Sequence, residues 1–452
     1  MTTTMMEEVG LAEGVTEALS RDAVERIGSY EPEWLRERRL HAWDVYESTP
    51  LPTTELEEWR YTDLRRKLDM EALRLGSTEA IADDPSRYPA GLRDAMEEDR
   101  EASGHLVLVD GAVVHTDLAD ELAEKGVVLM GLRRAVEERP DLLEEHLATE
   151  AVPPEGGKFQ ALNAALWSDG VLLHVPRGVR LENPVRVTRW ISEPGAAFFS
   201  RTLIVAEADS QISYVDEILS DDLDAQTLAS SAVEVVARDG AQVQYVALQR
   251  LGRGAFYQSA QRTLAGRDAT LDTLNVNLGA TTSRVDLNAR LLGSGANSDM
   301  LGLYFGDGDQ HFDHNTSQDH VAPSARSDLL YKGALDGESR AVFRGIIRVE
   351  PGAQQTDAYQ TNRNLLLSER ARADSLPNLE IQADDVRCSH GATVGQLDDE
   401  ALFYMISRGI PRDRAERLVV LGFLGEVLLR LPLGGVVEKV TRVIEQKLAS
   451  HG

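Results

Sequence analysis

The sequence predicts a mainly β protein whose centre is a β-solenoid, with helical segments at both ends. From about Gly170 to Leu367, short β-branched strands alternate with turns rich in Gly, Asp, Asn and Ser, and no helical periodicity stands out. Within this stretch a turn-plus-strand unit recurs with a step of 28 residues (241 to 269) and then of 27 residues (269 to 296). Both observations favour a repetitive β fold.

The recurring unit reads GAQVQY at 240–245, DATLDT at 268–273 and GANSDM at 295–300. In a solenoid each coil buries its inner face only against the next coil, so short strands and small corner residues return at a fixed step. A β-sandwich is the alternative, but its turns would be more closely and less regularly spaced. The regular step favours the solenoid.

The N-terminal part is predicted to be mostly helical. Pro32 opens a helix over 33–46, and a short strand pair surrounds Asp110-Gly111. The stretch 152–157, VPPEGG, is typical of a boundary. We therefore expect an N-terminal subdomain over 1–155, followed by the β core over 156–375.

The C-terminal part, 376–452, is predicted to return to helix. Asp398-Asp399 starts one helix, Pro411 opens a second that runs to Arg430, and a third follows Gly435. Val437, Val440, Ile444 and Leu448 form one apolar stripe on the third helix. Three helices after a solenoid are expected either to cap its end or to dock a partner.

Composition limits the classes of function. The formal charge of −28 and the pI near 4.8 argue against nucleic acid or an anionic membrane as a partner. The acidic N-terminus, Met1–Gly10, lacks the apolar core of a secretory signal, and Glu426, Arg430, Pro432 and two adjacent glycines interrupt the apolar stretch 418–440. The single cysteine, Cys388, rules out an intrachain disulfide. We expect a cytoplasmic protein.

Cys388 and His390 are the strongest candidates for chemistry. If their segment is a strand, the two side chains point to the same face, about 6.5 Å apart along the chain. A thiolate beside an imidazole suits zinc, Cu(I) or an iron–sulfur intermediate. A buried, packing cysteine beside a histidine satisfied by backbone groups is the alternative, and the spacing alone favours it. One cysteine cannot supply four thiolates, so any such cluster would need ligands from another chain.

His311, His314 and His320 superficially resemble a metal site. In a strand, however, His311 and His314 lie on opposite faces, so a structural or surface role is favoured over zinc. No Ser-His-Asp order, phosphate-binding glycine loop or HExxH motif is present in the sequence. We therefore predict no catalytic residues.

Two long motifs resemble the SufB/SufD family of iron–sulfur cluster assembly proteins. They are the stretch from Cys388 to Ile410, which reads CSHGATVGQLDDEALFYMISRGI, and GAQQTDAYQTNR at 352–363. The N-terminal EWRYTDL at 58–64 and Ser-His-Gly at 389–391 are more similar to the SufD branch than to the SufB branch, whose chains tend to carry further cysteines. The resemblance extends over most of the chain.

The resemblance implies a right-handed parallel β-helix between helical ends. It also implies a non-catalytic scaffold subunit that pairs with a SufB-like protein through the β-helix and binds a SufC-like ATPase through the C-terminal helices. His390 falls on the family's interface histidine, where a transient iron–sulfur cluster would form on ligands shared with the partner chain, and Cys388 lies beside it. No permanently bound cofactor is implied.

Three other functions remain open at this stage. A SufB-like main scaffold would need more thiolates, and a SufD homodimer would be a resting form of the same chain. A β-helix enzyme acting on acidic polysaccharide is usually secreted and lines its groove with basic residues. The net charge here has the wrong sign for a polyanionic substrate.

Overall fold

The computed structural model describes residues 17–77, 84–98, 101–433 and 435–449. The acidic N-terminus, Met1–Gly10, therefore lies outside the described residues. The N-terminal helices are α1 (Arg21–Gly28), α2 (Glu33–Ser48), α3 (Leu64–Lys67), α4 (Ala90–Glu98), α5 (Asp120–Glu124), α6 (Leu132–Glu138), α7 (Pro140–His146) and α8 (Lys158–Leu166). Five strands lie among them: β1 (Glu17–Ala18), β2 (Arg74–Leu75), β3 (Gly104–Val109), β4 (Ala112–Leu118) and β5 (Val128–Gly131). The predicted helix over 33–46 and the strand pair around residue 110 are both confirmed.

The central part consists of long strands joined by short corners. The strands are β6 (Asp169–Val175), β7 (Val185–Trp190), β8 (Ala196–Ala206), β9 (Gln211–Leu219), β10 (Thr227–Ala237), β11 (Gln242–Arg250), β12 (Ala255–Ala265), β13 (Thr270–Asn277), β14 (Thr282–Leu291), β15 (Asn297–Gly306), β16 (His311–His320), β17 (Arg326–Leu335), β18 (Arg340–Val349), β19 (Thr356–Leu366), β20 (Arg372–Ile381) and β21 (Val386–Gln396). Three helices follow: α9 (Asp399–Ser407), α10 (Arg412–Arg430) and α11 (Val436–Ala449).

The strands form a β-helix in which each coil contributes one strand to each of two parallel sheets. The even-numbered strands β8 to β20 pair in sequence in sheet 1, and the odd-numbered strands β7 to β21 pair in sheet 2. The solenoid has about eight turns, with helices flanking it. The predicted fold class is confirmed, and the stacking continues through β20 and β21.

The corners explain the repeat that the sequence shows. The first residue of each repeated unit has a left-handed backbone: φ is 69° at Gly240, 55° at Asp268 and 75° at Gly295. A Cβ at Gly295 would lie 2.2 Å from Oδ1 of the exposed Asp268 in the preceding coil, so a larger residue there would have to displace this side chain as well as adopt a left-handed conformation. The ladder register reproduces the predicted steps, because Gln242 pairs with Thr270 and Thr270 pairs with Asn297.

The interior of the β-helix changes character along its axis. The first coils enclose a buried ion pair and several tyrosines, including the stacked rings of Tyr214 and Tyr245. Further along, an apolar cluster fills the interior. We call four of its large, fully buried side chains the apolar plug: Met300, Phe312, Leu329 and Phe343. Stacked, in-register strands place these residues against one another from coil to coil.

The N-terminal region covers the first coils. The antiparallel hairpin β3–β4 extends sheet 2 beyond β7, and the helices pack on the outer face of sheet 1 through Phe199, Leu228 and Phe256. A fully buried ion pair, Arg201 with Glu234, helps to fix this contact, since the carboxylate also accepts hydrogen bonds from backbone N–H groups of the N-terminal region.

A segment of the N-terminal region, 57–62, crosses sheet 1, and we call it the strap. Its Trp59 stacks on Phe159 of α8, with ring centroids 5.9 Å apart. The indole of Trp59 lies 3.7 Å from the guanidinium of Arg284, and Arg344 pairs with the carboxylates of Glu57 and Glu58. The strap ends in Thr62, whose side chain is buried against β16. It thus ties the N-terminal region to coils near the C-terminal end of the β-helix.

Helices α10 and α11 pack on the outer face of sheet 2, over β15 and β17, and not on the end of the solenoid. The alternative that these helices cap the end is therefore wrong, because their apolar faces are already used on the sheet. Buried cations fix the contact: Lys332 pairs with Glu426, and Arg430 with Asp299 and Asp328. Two further lysine pairs join α11 to the sheet, Lys439 with Glu217 and Lys447 with Asp307. None of the described helices has the length and hydropathy needed to cross a membrane.

Candidate functional site

The C-terminal end of the β-helix is open. Within the part of the chain that the structure describes, strand β21 pairs only with β19, and β20 pairs only with β18, so each has one edge of backbone N–H and C=O groups without a neighbouring strand. Most residues of β21 are exposed, and Ile381 and Val394 are large apolar side chains exposed at 40% and 47%. Unpaired edges of this length are normally covered, because they readily accept another strand.

Cys388 faces the interior of the last coil and is half-buried. It pairs in register with Ala358 and packs against a small apolar cluster that includes Ile347 and Ala383. Burial raises the pKa of the Cys388 thiol above its usual value, the charge of Asp357 raises it further, and a backbone hydrogen bond from Ala358 acts in the opposite direction. In this chain alone the group is therefore a neutral thiol at pH 7, which is a poor metal ligand.

His390 lies two residues further along the same extended strand, on the same face as Cys388, and its side chain is exposed. Its in-register neighbour in the preceding coil is Gln360, which is buried and reaches across the interior to donate to the carbonyl of Asn378 at 3.2 Å. The predicted strand and shared face are thus both observed. An exposed imidazole at an open end can donate a lone pair to a metal or to a proton held by another molecule.

These two side chains do not make a metal centre by themselves. Within the described ranges, no group of three or more His, Cys, Asp or Glu side chains is placed to hold a metal ion. A tetrahedral or cluster site needs four ligands, and Cys388 and His390 could supply at most two. Any cluster bound here would be completed by ligands from another molecule.

The three histidines of strand β16 are structural. His311 faces outward under the strap, whereas His314 faces the interior and stacks on Tyr304 with ring centroids 4.7 Å apart. His320 Nε2 lies 2.8 Å from Ser327 Oγ inside the coil. Burial lowers the pKa of His311 and of His314 to about 3 and that of His320 to about 4, so all three rings are neutral at pH 7. The predicted opposite faces and structural role are confirmed.

Helix α9 provides a second candidate contact surface. Its N-cap, Asp398, accepts from the backbone N–H groups of Glu400 and Ala401, as the sequence predicted. Phe403 and Tyr404 are exposed at 73% and 58%, although they are large and adjacent. An apolar pair of this kind on a short helix is typical of an interaction surface.

Comparison with known proteins connects these surfaces to a family. The family description "SUF system FeS cluster assembly, SufBD core domain" matches residues 189–423, and "SufBD protein N-terminal region" matches residues 17–187. The chain belongs to the SufBD family. The core match ends within α10 and so includes both the open end and α9.

Members of this family resemble the chain over nearly its whole length. The iron–sulfur cluster assembly protein SufD of Bacillus subtilis is 34% identical over 425 residues, which cover 92% of this chain and 95% of the relative. SufB of the same organism is 25% identical over 424 residues, with 93% and 91% covered. An iron–sulfur cluster assembly SufBD family protein of Staphylococcus haemolyticus is 27% identical over 433 residues. This SufBD-family chain is therefore more similar to SufD than to SufB, and its role lies in iron–sulfur cluster assembly.

Sequence reasoning identified Cys388 and His390 but missed the residues that fix the surfaces around them. The segment 58–64 was recognised only as a motif, and no periodic signal indicates that Trp59 contacts Arg284 across 225 residues (284 − 59). Likewise, three of the chain's six lysines hold α10 and α11 to sheet 2, namely Lys332, Lys439 and Lys447. The sequence feature that distinguishes these three positions is that lysine is rare in this arginine-rich chain.

Proposed function

We propose that this chain is a SufD-type scaffold subunit, without catalytic activity of its own, which pairs with a SufB-like protein and binds a SufC-like ATPase. The open end of the β-helix supports the first partnership, and the exposed pair on α9 supports the second. A reducing cytoplasm is the natural setting, because the single cysteine remains a free thiol. The observation that carries the proposal is the position of His390 on β21, the last strand, whose outer edge has no neighbouring strand among the described residues.

The open end suits a second β-helix of the same family. Its two free strand edges can continue into a partner's strands by backbone hydrogen bonding, as in β-augmentation. Tyr359, exposed at 43%, lies over the outer side of β21, where its hydroxyl is 3.4 Å from a Cβ placed at Gly391. The edges therefore offer both backbone groups and apolar surface to a partner.

The cluster would be cargo at this interface, shared between two chains. His390 would present a neutral imidazole, and the partner would bring the remaining ligands. Cys388 can take part only if partner binding changes its surroundings, because its thiol is now packed and protonated. We therefore assign His390 the primary role and Cys388 a secondary one.

The test is reconstitution with the SufB-like and SufC-like proteins encoded in the same organism. His390→Ala should abolish cluster formation, measured as iron and acid-labile sulfide per complex, while gel filtration shows an unchanged complex. Cys388→Ser should have a milder effect. Ser389→Ala is the matched control, since Ser389 lies on the opposite face of the same strand and should leave the cluster content unchanged.

Two results would overturn parts of the proposal. Normal cluster content in the His390→Ala complex would remove this residue from the mechanism. A chain that forms only a homodimer in the presence of the SufB-like protein, as measured by sedimentation, would contradict the proposed pairing and favour a self-associated form.

A further inference from the structure

A buried arginine in the first coils of the β-helix lacks one hydrogen-bond acceptor. Arg189 is 5% exposed, and its Nε and Nη2 donate to the two carboxylate oxygens of Asp216 at 2.7 and 3.1 Å. Nη2 also donates to Oγ1 of Thr202 at 2.7 Å. Among the described residues, no group accepts a hydrogen bond of good geometry from the remaining terminal nitrogen, Nη1, which is buried; the hydroxyl of Tyr214, which also has no such partner, lies close to the guanidinium. An unpaired charged donor in the interior is strongly destabilising, so a partner is expected.

Two small voids border this guanidinium. They measure about 20 and 10 Å³ in the space open to the centre of a water molecule. Ser231 lines both voids; Ser200 lines the larger and Tyr257 the smaller. A void of about 10–15 Å³ on this measure holds one water when two to four polar groups surround it. The larger void therefore has room for one water molecule. Its polar groups include the guanidinium of Arg189 and the hydroxyl groups of Ser200 and Ser231, and most of the remaining lining is apolar.

We propose that the interior of the β-helix contains a structural water-binding site between Arg189 and Ser231. The water accepts a hydrogen bond from Arg189 Nη1 and donates one to Ser231 Oγ. It thereby joins β7 of sheet 2 to β10 of sheet 1 across the interior. The ligand is water and not an anion, because the carboxylate of Asp216 already neutralises the guanidinium and the voids accommodate no larger group.

Substitutions at Ser231 distinguish a void that contains a water molecule from an empty void. Ser231→Val fills the void with methyl groups and displaces the water, which leaves Arg189 Nη1 without an acceptor. Ser231→Ala keeps the space, and the water remains on the guanidinium. We expect the valine variant of the full chain to melt about 1–2 °C below the alanine variant. In a dry void the order is reversed, because valine suits a strand and improves packing.

A crystal structure of the wild-type chain gives the direct measurement. Density for a water within about 3.2 Å of both Arg189 Nη1 and Ser231 Oγ is expected, and it should be absent in Ser231→Val. A valine variant that melts at or above the alanine variant contradicts the proposal. So does a wild-type map without this density, and that map decides the question even if a variant fails to fold.

Discussion

The hydroxyl of Thr62 lies 2.8 Å from Nε2 of His311, although 249 residues separate them in the sequence. The same hydroxyl donates to Oδ2 of Asp313 at 2.5 Å. A hydroxyl has one proton to donate, so with its proton on Asp313 it accepts from His311 Nε2–H. The contact therefore fixes both the tautomer of the imidazole and the end of the strap.

Thr62→Val should destabilise the chain by about 1–3 kcal/mol, because the variant keeps the shape and leaves the buried Nε2–H of His311 without an acceptor, whereas Asp313 keeps its ion pair with Arg284. Urea unfolding followed by tryptophan fluorescence measures the change. Thr62→Ser, which keeps the hydroxyl, is the control and should lose much less folding stability than Thr62→Val. A valine variant as stable as wild type would show that the strap contributes nothing to folding stability.

The ion pair between Lys332 and Glu426 is asymmetric, since the lysine side chain is 3% exposed and the glutamate side chain 52%. Glu426→Gln leaves a buried ammonium without its counter-charge and should cost about 1–2 kcal/mol. Lys332→Met removes the buried charge, leaves a hydrated carboxylate and should cost less than Glu426→Gln. Chemical unfolding of the two variants compares them directly. The reverse order would mean that the contacts of Lys332 with the carbonyl and ring of Phe423 dominate.

Asp272 should make stability depend on pH. Burial raises the pKa of Asp272 to about 6. The hydrogen bond from the backbone N–H of Asp299 and the charge of Arg430 act in the opposite direction, whereas the carboxylate charge of Asp299 raises the pKa further. The folded state therefore favours the protonated carboxyl. Its stabilising contribution is complete below pH 4 and is lost as pH rises through 6.

Asp272→Asn removes this titration and keeps an acceptor for the backbone N–H of Asp299. The variant should be about 1–2 kcal/mol more stable than wild type at pH 8 and nearly equal to it at pH 4. Unfolding at micromolar concentration avoids precipitation near the pI of 4.8. Asp328→Asn is the contrasting control. It breaks the ion pair between Asp328 and Arg430, whose charged atoms are 2.9 Å apart, and should not increase the free energy of unfolding. A pH-independent difference for Asp272→Asn would contradict the assignment.

Binding of the SufC-like ATPase should depend on the apolar pair of α9. The double variant Phe403→Ala and Tyr404→Ala should weaken binding at least tenfold, measured by calorimetry, because exposed aromatic side chains are typical interface anchors. Tyr30→Ala, at an exposed aromatic in the N-terminal region (81%), is the matched control and should bind normally. Undiminished binding by the double variant would place the ATPase elsewhere.

Deleting 398–452 is a poor substitute for this test. The deletion would uncover the apolar face of sheet 2 and leave Lys332 and Glu217 without their partners on α10 and α11. We expect the truncated chain to be destabilised or to aggregate, which is visible by gel filtration. Loss of ATPase binding by such a chain would not locate the docking surface.

The sequence predicted the solenoid because its determinants are local. Gly240, Asp268 and Gly295 mark the corners, and their spacing equals the register of the ladder. It also predicted the N-cap of α9 and the shared face of Cys388 and His390, which depend on neighbouring residues only. It could not predict where α10 and α11 pack or what the strap contacts. Those contacts join residues far apart in the chain, and an apolar stripe does not identify the surface that it covers.

The apolar plug determines by which route iron and sulfur can reach the open end of the β-helix. Met300, Phe312, Leu329 and Phe343 lie fully buried in the interior between the first coils and β21, packed together with the rings of Tyr304, His314 and Tyr331. Hydrated ions and sulfide do not pass through packing of this density, because each would lose its water without gaining a polar partner. The interior of the β-helix therefore does not form a channel. If a cluster forms at His390, as proposed, its iron and sulfur arrive laterally, from solvent or from a partner molecule, and not along the interior of the β-helix.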